Sequence, residues 1–245
     1  IFLLSFNIPI ALAIGVSTTL SMIITIPIAP ALTTIAQQMA TGINSFALLA
    51  IPFFILSGYI MAQGGIANRL INFAKVIVSS LPGGLAYVNI IACMFFGAIS
   101  GSAAAATSAV GGVMIPSMNK EGYDKNFNTA LTVTASTTGL LIPPSNILII
   151  YSLASGGVSI SALFIAGYIP GLLIGLSLIF VSMIMARINN YPSGLGYDLK
   201  DIISRSFEAL PSLLLIYIVI GGIIKGVFTA TEASVVAVLY SLLLA

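Results

Sequence analysis

The chain has 245 residues, of which 59% are hydrophobic and only 6% are charged, with a formal net charge of +2. A soluble domain carries about 25% charged residues, so this composition excludes a water-soluble globular protein. It predicts an all-α polytopic membrane protein whose solvent is the lipid bilayer. The small net charge gives no reason to expect nucleic acid as a partner. No histidine and one cysteine leave no zinc site of the usual kind and no disulfide framework.

The first third of the chain carries no charge before Arg69. Residues 1–28 and 46–63 are predicted as two spans, and the more polar residues 29–45 are predicted to lie at an interface. The sequence begins and ends inside apolar runs, so we expect both ends to be truncated.

Two segments are amphipathic at helical spacing, residues 66–80 and residues 198–210. In the first, apolar Ile66, Leu70, Phe73, Ala74 and Ile77 oppose Asn68, Arg69, Asn72, Lys75 and Ser79; in the second, Leu199, Ile202, Ile203, Phe207 and Leu210 oppose Asp198, Asp201, Arg205 and Glu208. Each is interpreted either as an interfacial helix that anchors topology or as a brace between a fixed scaffold and a moving part.

Lysine and arginine are confined to a few loops, which the positive-inside rule places in the cytoplasm. The basic positions before the C-terminal region are 69, 75, 120, 125, 187, 200 and 205. If these loops share one side, residues 126–186 make two passes that turn near Ser155. Residues 83–118 must then leave and return to the same side with few residues in each leg. A re-entrant hairpin that turns at residues 100–102 is favoured, and two short tilted spans are the alternative.

The C-terminal part is predicted to hold a span over residues 211–225 and a further span that begins near Thr229. The turn between these spans is predicted to lie outside. Glu232 is the one carboxylate of the last apolar segment. It is either a functional intramembrane group or a charge at the N-terminus of a helix.

Two segments concentrate small uncharged polar residues, residues 97–108 and residues 132–146. Pro143 and Pro144 cannot continue a regular helix, so the second segment is predicted to be a helix broken within the membrane. Such a break frees backbone carbonyls, which can coordinate sodium, while half-helix N-termini face anionic groups of a substrate. Close helix packing is the alternative explanation for the small residues.

The candidate site combines the two segments. Hydroxyl and carbonyl oxygens suit a hard cation, so the candidate ligands of Na⁺, the expected coupling ion, are Ser100, Gly101, Ser102, Thr138, Gly139 and Ile142. The candidate residues for binding an anionic small-molecule substrate are Ser102, Pro143, Pro144, Ser145 and Asn146. We expect sodium to order the hairpin tip against the broken helix and so to complete a pocket for a carboxylate.

Several motifs, taken together, resemble one family along the whole chain. They are LAIPFFILSG at 49–58, Ser100, Gly101 and Ser102 with Gly111 and Ile115-Pro116, GLLIPPS at 139–145, LFIAGYIPG at 163–171 and GVFTATEA at 226–233. The sequence resembles the large membrane subunit of tripartite ATP-independent periplasmic (TRAP) transporters.

The resemblance implies sodium-coupled uptake of small organic acids such as dicarboxylates, sialic acids or sugar acids across the bacterial inner membrane. The implied partners are a small membrane (Q) subunit and a periplasmic substrate-binding (P) protein. It also implies an elevator-type fold of two inverted repeats, with the second hairpin and the second broken helix expected beyond Ala245. On this basis residues 1–82 are scaffold, 83–160 carry the hairpin and broken helix, and 161–245 are scaffold and the start of the second repeat. A one-component elevator anion transporter and a non-transporting scaffold subunit are the alternatives; an enzyme is not expected.

Overall fold

The computed structural model describes residues 2–194 and 196–244, and its regular elements are helical apart from one isolated β-bridge. The α-helices are α1 (Phe2–Ser5), α2 (Ile10–Thr25), α3 (Ile28–Ile43), α4 (Ala50–Gln63), α5 (Ile66–Val78), α6 (Gly84–Ser100), α7 (Ala103–Lys120), α8 (Lys125–Ser136), α9 (Asn146–Ala154), α10 (Ile160–Ile188), α11 (Leu199–Ile224) and α12 (Ala230–Leu244). Short 3₁₀ turns cover Phe46–Leu49 and Thr137–Leu140.

The first 45 residues form a compact unit of their own that contains α1, α2 and α3. Pro9 and Pro27 precede α2 and α3 and act as their N-caps, where a proline costs no intrahelical hydrogen bond. Asn7 adopts a positive φ of 58° between α1 and α2. The span predicted over residues 1–28 is therefore interrupted, and its long helix is α2 alone. The segment predicted as interfacial, residues 29–45, belongs mostly to α3.

Residues 46–245 form the second unit. Within it, α4 packs closely along α12 through small and polar side chains. The Ser57 and Ser241 hydroxyls lie 2.7 Å apart, and the Thr231 hydroxyl donates to the Phe46 carbonyl at 2.9 Å. Small residues of this kind let two helices approach closely where lipid offers no hydrophobic driving force.

The predicted hairpin is present as α6 and α7, which are joined at Gly101 and Ser102. Most of α6 is buried among its neighbours. The Asn89 side chain of α6 donates to the Thr132 hydroxyl of α8 at 2.7 Å, as expected for an interhelical asparagine. The hairpin thus lies at the centre of the unit, and its re-entry from the cytoplasm stays a prediction.

The linkers on either side of the hairpin meet the linker that follows α10 at one end of this unit. The Gly83 N–H donates to the Pro192 carbonyl at 3.2 Å, and the Gly194 N–H donates to the Ser79 carbonyl at 2.8 Å. The rings of Tyr123 and Tyr191 stack at 4.2 Å, and burial raises the pKa of Tyr123 to about 12. The basic loops that flank these contacts share one side, as the charge pattern predicts.

The two amphipathic segments have different surroundings. In α5, Ile66, Leu70 and Ala74 are buried, because the helix packs against both α6 and α11. The second segment is not a separate helix: α11 runs without interruption from Leu199 to Ile224, through Pro211. The proline removes a single hydrogen bond, and the apolar residues on both sides keep the helical register.

Three helical segments of the described residues are long and apolar enough to cross a membrane: Phe46–Gln63, Ile160–Ile188 and Leu199–Ile224. Three shorter helices, α2, α6 and α12, are also apolar. The chain is therefore an all-α polytopic membrane protein. The three-part division at residues 82 and 160 stays a prediction.

Candidate ion and anion site

The tip of the hairpin touches the break in the helix that follows. Gly101 has a φ of 61°, a conformation that glycine adopts without steric cost. A Cβ atom built on Gly101 would lie 2.8 Å from the Pro144 carbonyl oxygen and 3.3 Å from the backbone nitrogen of Asn146. No larger residue fits there without moving the backbone of the break, so the two segments predicted to form the site do meet.

A second contact lies one helical turn earlier along α6. A Cβ on Gly97 would lie 2.4 Å from the Gly139 Cα atom, so the two backbones touch. Three residues further along α6, a Cβ on Gly58 of α4 would lie 2.7 Å from the Ser100 Cβ atom. Sequence reasoning did not identify these contacts, because a glycine in a helix does not indicate which backbone approaches it.

The break lies along the length of α10 rather than at its end. A Cβ on Gly167 would meet the Leu141 carbonyl oxygen at 2.3 Å, and one on Gly171 would meet the Ile142 side chain at 2.5 Å. These glycines follow the start of α10 at Ile160 by seven and eleven residues in a helix of 29 residues. A helix of that length spans the hydrocarbon, so the break lies within the depth of the membrane.

The break itself is short and well defined. The helix that enters it ends in the 3₁₀ turn Thr137–Leu140, Pro143 and Pro144 follow, joined by a cis peptide bond, and α9 begins at Asn146. Ser145 is the N-cap of α9: its hydroxyl accepts from the Leu148 N–H at 3.4 Å and donates to the Leu140 carbonyl. One side chain therefore connects the two halves of the broken helix.

Four helix ends converge where the tip meets the break. Two are C-terminal, those of α6 and of the turn after α8, and two are N-terminal, those of α7 and α9. Within the described ranges, no group donates to the carbonyl oxygens of Ser100, Gly101, Ile142, Pro143 and Pro144, and none accepts from the N–H groups of Ala103, Ala104, Asn146 and Ile147. The junction presents acceptors for a cation beside donors for an anion.

The Asn146 side chain adds a further oxygen at the junction. Its Oδ1 atom is buried and, among the residues that the structure describes, has no hydrogen-bond partner. The residue is 8% exposed, and a Cβ on Gly101 would lie 3.5 Å from its Cγ atom. An unpaired buried amide oxygen costs free energy unless something binds it, so this oxygen is available to a ligand at the tip.

The predicted hydroxyl ligands of sodium are already hydrogen-bonded. The Ser100 hydroxyl donates to the Ser102 carbonyl at 3.4 Å, the Ser102 hydroxyl accepts from the Ala105 N–H at 3.3 Å, and the Thr138 hydroxyl donates to the Ala135 carbonyl at 2.6 Å. The Thr138 carbonyl accepts from Leu141 and Ile142. A hydroxyl that donates its hydrogen keeps its oxygen lone pairs for a cation, so these hydroxyls and the backbone carbonyls both stay candidate ligands. The roles of Ser100, Gly101, Ser102, Thr138, Gly139 and Ile142 stay predictions, as do those of Pro143, Pro144, Ser145 and Asn146.

A ladder of buried polar side chains (Asn89, Cys93, Thr132 and Ser136) connects α6 to α8, the two helices that lead to the junction. The Ser136 hydroxyl donates to the Thr132 carbonyl at 2.8 Å and lies 3.5 Å from the Cys93 sulfur, and Cys93 lies 3.5 Å from the Asn89 oxygen. The ladder holds α6 against α8. Thr132 and Ser136 lie one helical turn apart on α8, and this spacing in the sequence predicts that the two side chains share one face of the helix.

Glu232 lies at the start of α12 and caps it. Its carboxylate accepts from the N–H and from the hydroxyl of Thr229, each at 2.8 Å, and the Thr229 hydroxyl accepts from the Glu232 N–H at 3.3 Å. This reciprocal arrangement is a capping box. Of the two interpretations open from the sequence, the geometry favours the helix N-terminus.

A broken helix among spanning helices, with half-helix termini directed at one point, is a recurrent feature of membrane permeases. The profile of the family described as "Tripartite ATP-independent periplasmic transporter, DctM component" matches residues 1–245. The chain belongs to this family, which is one of inner-membrane transporter permeases and not of enzymes.

Similar proteins agree with this family assignment. The chain is 53% identical to the uncharacterized protein YgiK of Salmonella typhimurium, over 99% of the chain and 56% of that protein. It is 41% identical to the C4-dicarboxylate TRAP transporter large permease protein DctM of Vibrio cholerae, over 98% of the chain and 52% of that protein. It is 43% identical to the sialic acid TRAP transporter large permease protein SiaM of the same species, over 85% and 49%. The chain spans about half the length of these relatives.

Proposed function

We propose that the protein to which this chain belongs carries small organic acids into the cell, driven by a sodium gradient. The observation that supports this proposal most strongly is the convergence of free carbonyl oxygens and free N–H groups where Gly101 meets Pro144 and Asn146. The relatives named for C4-dicarboxylates and for sialic acid carry anions of the class that such N–H groups recognise.

The electrostatics of the junction fit a cation and an anion bound side by side. Each helix end carries a partial charge of roughly half an elementary charge, negative at the C-terminus and positive at the N-terminus. Sodium takes the carbonyl oxygens of the tip and the break together with the Asn146 Oδ1 atom. The substrate carboxylate takes the N–H groups at the starts of α7 and α9. Because the bound cation lies beside the carboxylate, each strengthens the binding of the other.

The partners follow from the family description, which names a tripartite and periplasmic system. A periplasmic binding protein delivers the acid, and a small membrane subunit completes the permease. The N–H groups of the junction suit one carboxylate, which is the group that dicarboxylates, sialic acids and sugar acids share.

An elevator motion is the mechanism that the arrangement supports best. The hairpin and the broken helix form one body through the contacts of Gly97 with Gly139 and of Gly101 with Pro144. The pair of α4 and α12 is joined by its own hydrogen bonds. Gly58 of α4 approaches Ser100 of α6 closely, so small residues form the surface between these two parts. Movement of the body against that pair would carry the junction across the membrane without opening it.

The test is uptake of labelled organic acids into proteoliposomes that contain the full-length permease with its small subunit. Four conditions are compared, with and without an inward sodium gradient and with and without the binding protein. The proposal expects uptake only when both are present. Uptake with sodium alone would indicate a one-component carrier. If the binding protein binds an acid and yet no uptake follows under any condition, the protein is a scaffold and the proposal is wrong.

A further inference from the structure

A polar cavity of about 410 Å³ lies at the end of the second unit where the linkers meet. Its walls come from the end of α5, the start of α6, the loop between α7 and α8, and the linker that follows α10. The hydrogen bonds of Gly83 to Pro192 and of Gly194 to Ser79 hold these segments together. The cavity is therefore built into the fold, on the side that the positive-inside rule places in the cytoplasm.

The start of α6 lies at this cavity without a side-chain cap. Its N-cap residue is Gly83, which supplies no side-chain hydrogen bond. Among the residues that the structure describes, no group accepts a hydrogen bond from the N–H of Gly84 or of Leu85, and Leu85 lines the cavity. A helix N-terminus with free N–H groups carries a partial positive charge and binds anions.

The Tyr123 hydroxyl faces the same helix start from the loop between α7 and α8. Tyr123 lines the cavity and is 3% exposed, and its hydroxyl has no hydrogen-bond partner within the described part of the chain. Burial raises the pKa of this hydroxyl, and the nearby Leu85 N–H offsets part of the rise, which places the hydroxyl beside the start of α6. A buried hydroxyl without an acceptor costs free energy unless a ligand accepts its hydrogen.

Two charged side chains also line the cavity, Lys75 from the last turn of α5 and Glu121 from the end of α7. In the described ranges, no carboxylate forms an ion pair with the Lys75 ammonium. Glu121 is exposed, so water and salt screen its charge. An ammonium, a hydroxyl and backbone N–H groups therefore outnumber one screened carboxylate, and this balance favours an anion over a cation.

We propose that this cavity binds a phosphate group, carried either by a phospholipid headgroup or by a soluble phosphorylated molecule. The Lys75 ammonium, the Tyr123 hydroxyl and the N–H groups at the start of α6 would donate to its oxygens. A phosphate group fits three kinds of donor better than a carboxylate does, because it presents three acceptor oxygens and a carboxylate has two. The bound group would join α5, α6 and the loop after α7 at the base of the hairpin. This inference does not depend on the transported substrate or on sodium.

The experiment uses the full-length permease, purified and stripped of lipid in dodecyl maltoside, a detergent that carries no phosphate. Binding of radiolabelled inorganic phosphate is measured at equilibrium, and phosphatidylglycerol or glycerol phosphate is then added as a competitor. The proposal expects saturable binding that at least one competitor displaces. Displacement at lower concentration by phosphatidylglycerol identifies a lipid headgroup as the ligand, and the reverse order identifies a soluble molecule. Absence of saturable binding, or binding that neither competitor displaces, would overturn the proposal.

Three variants locate the bound phosphate. Lys75→Gln should weaken phosphate binding about tenfold or more, because a charge-assisted hydrogen bond is lost. Lys125→Gln makes the same change at an exposed lysine that does not line the cavity, and binding should stay unchanged. Glu121→Gln should tighten binding, because it removes a negative charge from the cavity wall. Equal weakening by the two lysine variants, or weaker binding in Glu121→Gln, would contradict an anion site in this cavity.

Discussion

The backbones of Gly97 and Gly139 are in contact, since a Cβ on Gly97 would lie 2.4 Å from the Gly139 Cα atom. The contact joins the first leg of the hairpin to the turn that precedes the break. Gly97→Ala must therefore push the two segments apart. We expect a loss of about 1–3 kcal/mol in stability, the usual cost of overpacking a well-packed core, measured as a lower melting temperature of the purified full-length permease.

The control for this substitution is Gly112→Ala on α7, where an added Cβ would meet no atom within 4 Å. Alanine has a higher helix propensity than glycine, so Gly112→Ala should leave the melting temperature unchanged or raise it. Equal melting temperatures for the two variants would show that Gly97 and Gly139 are not in contact in the assembled permease.

Ser145→Ala should loosen the break. The substitution removes the hydrogen bonds to Leu148 and Leu140, and loss of an N-cap costs about 1 kcal/mol. Ser159→Ala is the control, because Ser159 caps α10 through the Ala162 N–H at 3.4 Å but lies away from the break. Both variants should melt at lower temperature, but only Ser145→Ala should require more sodium for half-maximal uptake. A sodium requirement that rises equally in both would assign the effect to general destabilisation.

The linkers that contain Pro82 and Ser193 are expected to move as one unit, because these residues form an antiparallel bridge flanked by two backbone hydrogen bonds. In such a bridge the Cα atoms lie about 4.5–5.5 Å apart, which a disulfide can span. A permease that carries Pro82→Cys with Ser193→Cys should form the disulfide and retain uptake. Inhibition that a reductant reverses would show that the linkers separate during transport.

Glu232→Gln should retain uptake. A glutamine at N3 supplies the same acceptor to the Thr229 N–H and hydroxyl in a capping box. Glu232→Ala removes the acceptor of the capping box and should lower the melting temperature, again measured by thermal unfolding. If Glu232→Gln abolishes uptake while the protein stays folded, the carboxylate has a transport role that its capping geometry does not explain.

The features of the site that the sequence predicts are those with a local cause. Two adjacent prolines such as Pro143 and Pro144 break a helix whatever surrounds them. The hairpin was predicted because the basic loops before and after it must lie on the same side of the membrane. The capping role of Glu232 was one of two interpretations, and distances were needed to choose between them. Separate segments were predicted over residues 198–210 and 211–225, but α11 continues through Pro211 as one helix.

The rest of the site depends on contacts between distant parts of the chain. Gly58, Gly97 and Gly167 each accept a close neighbour from another helix, and a glycine has the same sequence signature whether or not such a neighbour exists. The available ligands could not be predicted for a related reason. Ser100, Ser102 and Thr138 carry the expected hydroxyl oxygens, each hydrogen-bonded within its own turn. The carbonyl groups at the junction are ones that every residue possesses, so no residue type marks them in the sequence.

The most direct test of the account is the sodium dependence of uptake by Asn146→Ala, compared with Asn126→Ala, an exposed asparagine on α8. Loss of a ligand to an ion costs about 1.5–3 kcal/mol, which corresponds to a rise of about tenfold or more in the sodium concentration at half-maximal uptake. We predict that rise for Asn146→Ala and none for Asn126→Ala. An unchanged sodium requirement in Asn146→Ala would contradict a sodium site where the hairpin tip meets the break.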